Sequence, residues 1–255
     1  MSTVPLAEIR MQTPTLSRGR SKLSAEDATT LAGYGARTTW PSNFQIYQRA
    51  TTADGISVVL RGHVVLRNRA RSGRSFVPAI VIPGETFGVE GLCPDASYAT
   101  DAYASDDTET LFVSGSQFRA FVRENPGSAI NIVGQLMSER TALLEKLHAM
   151  ASQNVEQRLA SALRRLAADR SFVGRDGRLK LELKHHRLLC EMVGATRESI
   201  ALALARLVGS GAAERKGMVF LVAPKRLTEH ISDDGVDSGA ALPLNRETAR
   251  PQQAG

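Results

Sequence analysis

A change of hydrophobic period at Val113 constrains the fold of this chain more than any other feature. From Thr38 to Val113 the apolar residues come in short runs, FQIY, ISVVL, HVVLR, FVPAIVI and TETLFV, separated by turn residues such as Asp54-Gly55, Arg61-Gly62, Ser72-Gly73 and Pro83-Gly84. Short apolar runs punctuated by Gly and Pro at this spacing predict the strands of an all-β barrel or roll. Beyond Val113 the period moves from two towards 3.6: SGSQFRAFVREN opens a short helix, and Pro126 ends it or begins the next. A strand block followed by a helical block makes the chain α+β, and 255 residues suit two domains.

The periodicity next predicts a long helix over residues 128–152. Steps of four and three from Ala129 reach Val133, Leu136, Arg140, Leu143, Leu147 and Met150, and a second row, Met137, Leu144 and Ala151, widens the stripe. So narrow a stripe fits a coiled-coil seam with a second copy of the chain; a core helix of the strand domain is the other reading. Residues 157–169 predict a further amphipathic helix. A turn at Val173-Gly174, a strand in RLKLEL, two short helices and a strand hairpin follow.

Charge separates the blocks. Residues 29–154 carry eleven Lys/Arg and eleven Asp/Glu, whereas residues 155–230 carry fifteen against eight, an excess of seven within a net charge of +6. A localised basic excess is what a phosphate-binding domain needs, because Lys and Arg displace the counterions condensed on nucleic acid. Residues 1–28 and 231–255, rich in Ser, Thr, Pro, Gly and Gln, are expected to be mobile tails. No apolar run approaches the roughly 20 residues of a membrane span and no signal-peptide core is visible, so the expected location is cytoplasmic, with no membrane partner. Cys93 and Cys190 lie far apart in no metal-binding pattern and are expected to be small buried side chains, with no metal and no cofactor.

The segment HRLLCEMVGATRESIALALA, residues 186–205, meets the demands of a helix-turn-helix in order. Cys190 is small where two helices would cross, Gly194 suits a left-handed turn, and Thr196 is placed to cap the second helix with Ser199 three residues on. Leu189, Val193, Ile200, Ala203 and Leu204 supply the packing faces. Arg197, Glu198 and Ser199 then stand at the exposed start of the second helix, where Arg can take guanine, Glu cytosine and Ser a phosphate.

On these residues the chain resembles the Crp/Fnr family over roughly residues 38–227: GISVVLRGHVV and VIPGETFG in the strand block, VEQRLASALRRLA, and VGATRESIALALARL followed by a Gly-bearing hairpin. The resemblance implies an N-terminal jelly-roll effector domain of the cyclic-nucleotide-binding type (29–127), a dimerisation helix (128–154) and a C-terminal winged helix-turn-helix (155–230). It implies base contacts by Arg197 and Glu198 and phosphate contacts by Thr196 and Ser199. His186 and the wing residue Lys216 are further candidates for phosphate.

The chain departs from the family pattern in two places. Relatives that read the best-known operator carry a second arginine one turn along the recognition helix, where this chain has Leu202; leucine cannot make a bidentate guanine contact but can touch a thymine methyl. In members that bind cyclic AMP, a Gly-Glu pair holds the ribose, an Arg-Ser pair the phosphate, and Thr-Ser on the long helix the adenine. Here Gly88 is followed by Val89, with Glu90 one residue late; Tyr98-Ala99 replaces Arg-Ser, and Leu143-Leu144 replaces Thr-Ser. A buried phosphodiester without a cation is costly, so tight cyclic-AMP binding is not expected, Gly88 and Glu90 are weak ligand candidates, and the effector is unassigned.

The expected function is therefore sequence-specific DNA binding by a homodimeric transcription regulator on palindromic operators, with RNA polymerase a candidate third partner. The competing reading is a cyclic-nucleotide-responsive module whose C-terminal domain binds protein. No enzyme is expected: His185-His186 is the sole tempting pair, and no acid or nucleophile pattern accompanies it.

Overall fold

The structure, a computed structural model, describes residues 22–169, 172–182 and 185–231. The first helix, α1 (Ala25–Ala32), is capped by Ser24, whose hydroxyl accepts from the Asp27 N–H. This corrects the reading of residues 1–28 as a tail. Leu23 and Leu31 are core residues, and Asp27 is buried, accepting from Asn131; only an amphipathic pattern too short to stand above its polar surroundings announces them. Residues 1–21 and 232–255 lie outside the described residues.

Eight strands then form the roll: β1 (Ala36–Trp40), β2 (Gln45–Tyr47), β3 (Gly55–Arg61), β4 (Val64–Arg69), β5 (Ser75–Val81), β6 (Thr86–Phe87), β7 (Asp101–Ala104) and β8 (Thr108–Ser114). They pair antiparallel in two four-stranded sheets, ordered β1-β8-β3-β6 and β2-β7-β4-β5. Val59, Val64, Val81, Phe87 and Ala102 fill the space between them. The two-residue β6 and the polar-flanked β7 are strands that the apolar runs do not mark, because sheet pairing rather than local pattern holds them.

Two helices close the roll. The first, α2 (Gly115–Glu124), starts on a capping box in which Ser114 and Gln117 satisfy each other's backbone N–H. The second, α3 (Pro126–Ser152), has proline in its first turn, where no helical N–H is needed. Ile132 of α3 joins Phe121, Leu111, Ile56 and Leu31 in one core. Further down α3, Glu139 accepts from Thr86, and Lys146 donates to the carbonyls of Val77 at 2.6 Å and Pro78 at 3.2 Å. Burial, and to a lesser degree the nearby Arg165 charge, lowers the Lys146 pKa to about 8.

The carboxy-terminal unit comprises α4 (Val155–Leu166), β9 (Leu179–Glu182), α5 (His186–Val193), α6 (Arg197–Gly209) and the hairpin β10 (Ala213–Lys216) to β11 (Val219–Val222), with sheet order β10-β11-β9. A capping box of Asn154 and Gln157 starts α4. Its core of Leu159, Leu163, Leu189, Ile200, Leu204 and Leu207 is continuous with Val65, Val77, Ile80 and Ile82 of the roll. Charged groups cross the same boundary: Arg67 of β4 meets Glu191 of α5 at 2.9 Å, and Arg165 of α4 meets the buried Glu85 at 3.2 Å. His63, buried after β3, lies between Asp106 of the roll at 2.8 Å and Asp169 beyond α4 at 3.4 Å. Alternation within single strands carries no sign of these cross-boundary pairs.

Candidate nucleic-acid interface

Helix α5 ends at Gly194, which has φ +69°, and a Cβ there would stand 3.6 Å from the Met150 methyl. That contact is an ordinary one, so it is the left-handed turn that calls for glycine here. Thr196 caps α6, its hydroxyl accepting from the Ser199 N–H at 3.3 Å. Leu189, Val193, Ile200, Ala203 and Leu204 are all buried between the helices, which fixes the exposed face of α6 by elimination. Thr196, Arg197, Glu198 and Leu202 lie on that face, with Ser199 half-buried behind them. Among the described residues Arg197 makes no hydrogen bond. The backbone N–H of Glu198 and the Thr196 hydroxyl hold the Glu198 carboxyl below its ordinary pKa, so it presents an acceptor.

The hairpin β10–β11 forms the wing. Lys216 is exposed at its tip, 3.4 Å from Glu214, and Glu214 is also bound by Arg178 at 2.7 Å. A surface pair of this kind is worth little, so a phosphate can take Lys216 from it at small cost. His186 is half-buried in the first turn of α5, its Nδ1 3.8 Å from the Cys190 sulfur. His185 accepts from the Glu182 N–H at 3.0 Å. Cys190 is half-buried and burial pushes its thiol pKa up, whereas Cys93 is exposed, contrary to expectation, because it follows a short 3-10 helix at the rim of the roll.

The long helix α3 has two unlike faces. Ile132, Gln135, Leu136 and Lys146 turn to the roll, while Ile130, Val133, Leu144 and Leu147 are 71%, 57%, 54% and 63% exposed, with Met137, Leu143 and Met150 also outward. Leu136 thus leaves the stripe in which the sequence places it and packs against the roll core; Arg140 stays exposed. The outward row runs through Val133, Met137, Leu144 and Leu147, spaced four, seven and three. With the exposed Arg140 at the omitted step the row keeps a strict four-three heptad, the spacing of a seam with a second helix.

Comparison with known proteins agrees with this arrangement. Residues 38–125 match the cyclic nucleotide-binding domain and residues 157–230 the Crp-like helix-turn-helix domain, in that order. The chain belongs to the Crp/Fnr family. It is a DNA-binding transcription regulator. It is 27% identical over 191 residues, 74% of this chain and 84% of that protein, to the cyclic AMP receptor protein of Thermus thermophilus. The fold is shared with FixK2 from Bradyrhizobium japonicum (21% identity, TM-score 0.65, 77% of this chain and 96% of that one). A Crp/Fnr-family regulator from Thermus thermophilus shares it equally (21%, 0.65, 78% and 100%).

The Crp/Fnr ligand position is built differently here. Gly88 has φ +69° and opens a 3-10 helix, Val89–Leu92, above which the rings of Tyr47 and Tyr98 stack at 3.7 Å and 6°. A Cβ on Gly88 would lie 3.1 Å from Tyr98 and 3.4 Å from Tyr47, so the ring pair rests on the glycine. Glu90 accepts from the Ala99 N–H at 3.0 Å. Tyr98, which the resemblance sets in place of the phosphate arginine, is thus held in a ring stack, and Glu90 is bound to backbone. Leu143 and Leu144, in place of polar adenine contacts, point outward on α3.

Proposed function

We propose that this Crp/Fnr regulator binds palindromic operators as a homodimer, with α6 of each protomer in a major groove and without need of cyclic AMP. The observation that supports it best is the pair Arg197 and Glu198, exposed at the capped start of α6 on a helix whose other face is buried. In this reading Arg197 reads guanine and Glu198 cytosine, while Thr196, Ser199, His186 and Lys216 bind phosphate. The outward row of α3 supplies the dimer contact through Val133, Leu143, Leu147 and Met150, with Met137, Arg140 and Leu144 along its centre. Two recognition helices related by a two-fold axis enter successive grooves about 34 Å apart, which makes the site a palindrome. We place the regulator in the cytoplasm, with RNA polymerase as its further partner and no catalysis of its own; no helix among the described residues is long and apolar enough to cross a membrane.

Selection of bound fragments from random DNA, with no nucleotide added, tests the reading. It is expected to return two inverted half-sites one helical turn apart. A single half-site, or no enrichment until cyclic AMP is present, contradicts it.

A further inference from the structure

Beyond its first turn, the recognition helix presents a surface unlike the charged pair that begins it. Residues 200–205 are all apolar, and Ile200, Ala203 and Leu204 account for the buried side. Ala201, Leu202 and Ala205 remain outward, with Leu202 57% exposed between two methyl-sized neighbours. A single exposed leucine needs no explanation on a protein surface. This one occupies the turn directly after the base-reading pair, and the next polar side chain, Arg206, is directed to Glu156 of α4 at 3.5 Å. A helix lying in the groove therefore offers the bases at this point no donor and no acceptor.

We propose that Leu202, framed by Ala201 and Ala205, is a specificity-determining residue that reads the C5-methyl group of a pyrimidine in the major groove. The inference rests on the placement of α6 in that groove. Thymine is the base that carries such a methyl in unmodified DNA, and 5-methylcytosine presents the same group at the same edge. Leu202 lies five residues from Arg197, about 7.5 Å along the helix, which is about two base pairs of 3.4 Å. The small alanines matter as much as the leucine, because bulk or charge beside it would hold the helix off the methyl or hydrate it. The contact adds discrimination without a hydrogen bond: burying one methyl against leucine is worth about a fourfold change in affinity per half-site.

The test measures binding of the full chain to its selected operator by fluorescence anisotropy. Each thymine is replaced in turn by deoxyuridine, which removes the methyl and nothing else. At one position per half-site, about two base pairs from the guanine read by Arg197, the replacement is expected to weaken binding about fourfold. Cytosine there binds more weakly than 5-methylcytosine. Leu202→Ala abolishes both differences and Leu202→Met retains them; Leu202 is exposed, so neither change touches the fold. If no uridine replacement weakens binding, or if the penalty survives in Leu202→Ala, the proposal is overturned. Arg197→Ala on the same panel separates the two failures: loss of one guanine preference with no uridine effect sinks the methyl reading alone, whereas loss of neither sinks the placement of α6 as well.

Discussion

At the rim of the roll Glu90 is bound to the backbone of Ala99 and the Tyr47–Tyr98 stack covers Gly88, whereas at the start of α6 Arg197 and Glu198 are exposed, Glu198 held only by its own N–H and the capping Thr196 and Arg197 with no hydrogen bond among the described residues. Both regions stand where the resemblance to the Crp/Fnr family sets contacts with a ligand. In one, the chain has met its own polar groups; in the other, it has left them for something else to meet. A folded domain that satisfies a polar group internally removes the gain a ligand would draw from it, and one that leaves it solvated at a rigid helix start preserves that gain. In the proposed function α6 keeps its polar groups for DNA, while at this rim of the roll they are met by the chain itself.

The roll's structural role extends to α3, and the largest test falls there. Leu144→Asp together with Leu147→Asp places charges in the outward row, and sedimentation velocity is expected to show monomers. Operator affinity should fall about 100-fold or more, because each half-site then binds without the effective concentration its partner provides. A dimer that survives both substitutions would assign the outward face some other purpose. The inner face can be sharpened through Lys146. Its folded pKa of about 8 lies below the ordinary value of 10.5, so between these values the unfolded chain holds a proton that the folded chain has released. Stability from this group therefore rises with pH from about 8 to 10.5 and is lost as pH falls through 8. Relative to Lys146→Met, the wild-type chain is expected to gain about 2 kcal/mol between pH 8 and 10 in urea unfolding.

The smallest effect compares the two regions directly. Gly88→Ala forces a side chain into the left-handed region and against Tyr98, and is expected to cost about 1 to 2 kcal/mol of stability. Leu202→Ala, on an exposed helix face, is expected to cost under about 0.5 kcal/mol. Thermal unfolding of the two variants checks both. Equal costs would mean that the ring stack over Gly88 is no more built-in than the recognition surface.

How much of this was legible before the fold is uneven, for physical reasons. The helix-turn-helix is written in local grammar: a capping threonine, a turn glycine and two buried faces lie within twenty residues, so Gly194, Thr196 and Ile200 could be placed from spacing alone. Strands β3, β4, β5 and β8 were visible in apolar runs, but α1 and β7 were not, since tertiary pairing sustains them. The ligand position could be read for what it lacks, the phosphate arginine, and not for what fills it: nothing in the spacing of Tyr47 and Tyr98 says that they stack. Likewise Arg67 and Glu191 are 124 residues apart and meet only because the roll and α5 share a core. Leu136 belongs to the four-three stripe in sequence and to the roll core in the fold, because the stripe does not say which side the roll will claim.

In the proposed function α6 reads bases while the wing only holds the backbone. The most direct measurement is the affinity of Arg197→Ala and Lys216→Ala for every single-base variant of the operator at two salt concentrations. Arg197→Ala is expected to lose about 1 to 3 kcal/mol at one guanine per half-site and to relax preference there alone. Lys216→Ala is expected to weaken all sequences alike and to make the salt dependence shallower by about one counterion per protomer. A uniform loss in Arg197→Ala with every base preference intact would contradict the account.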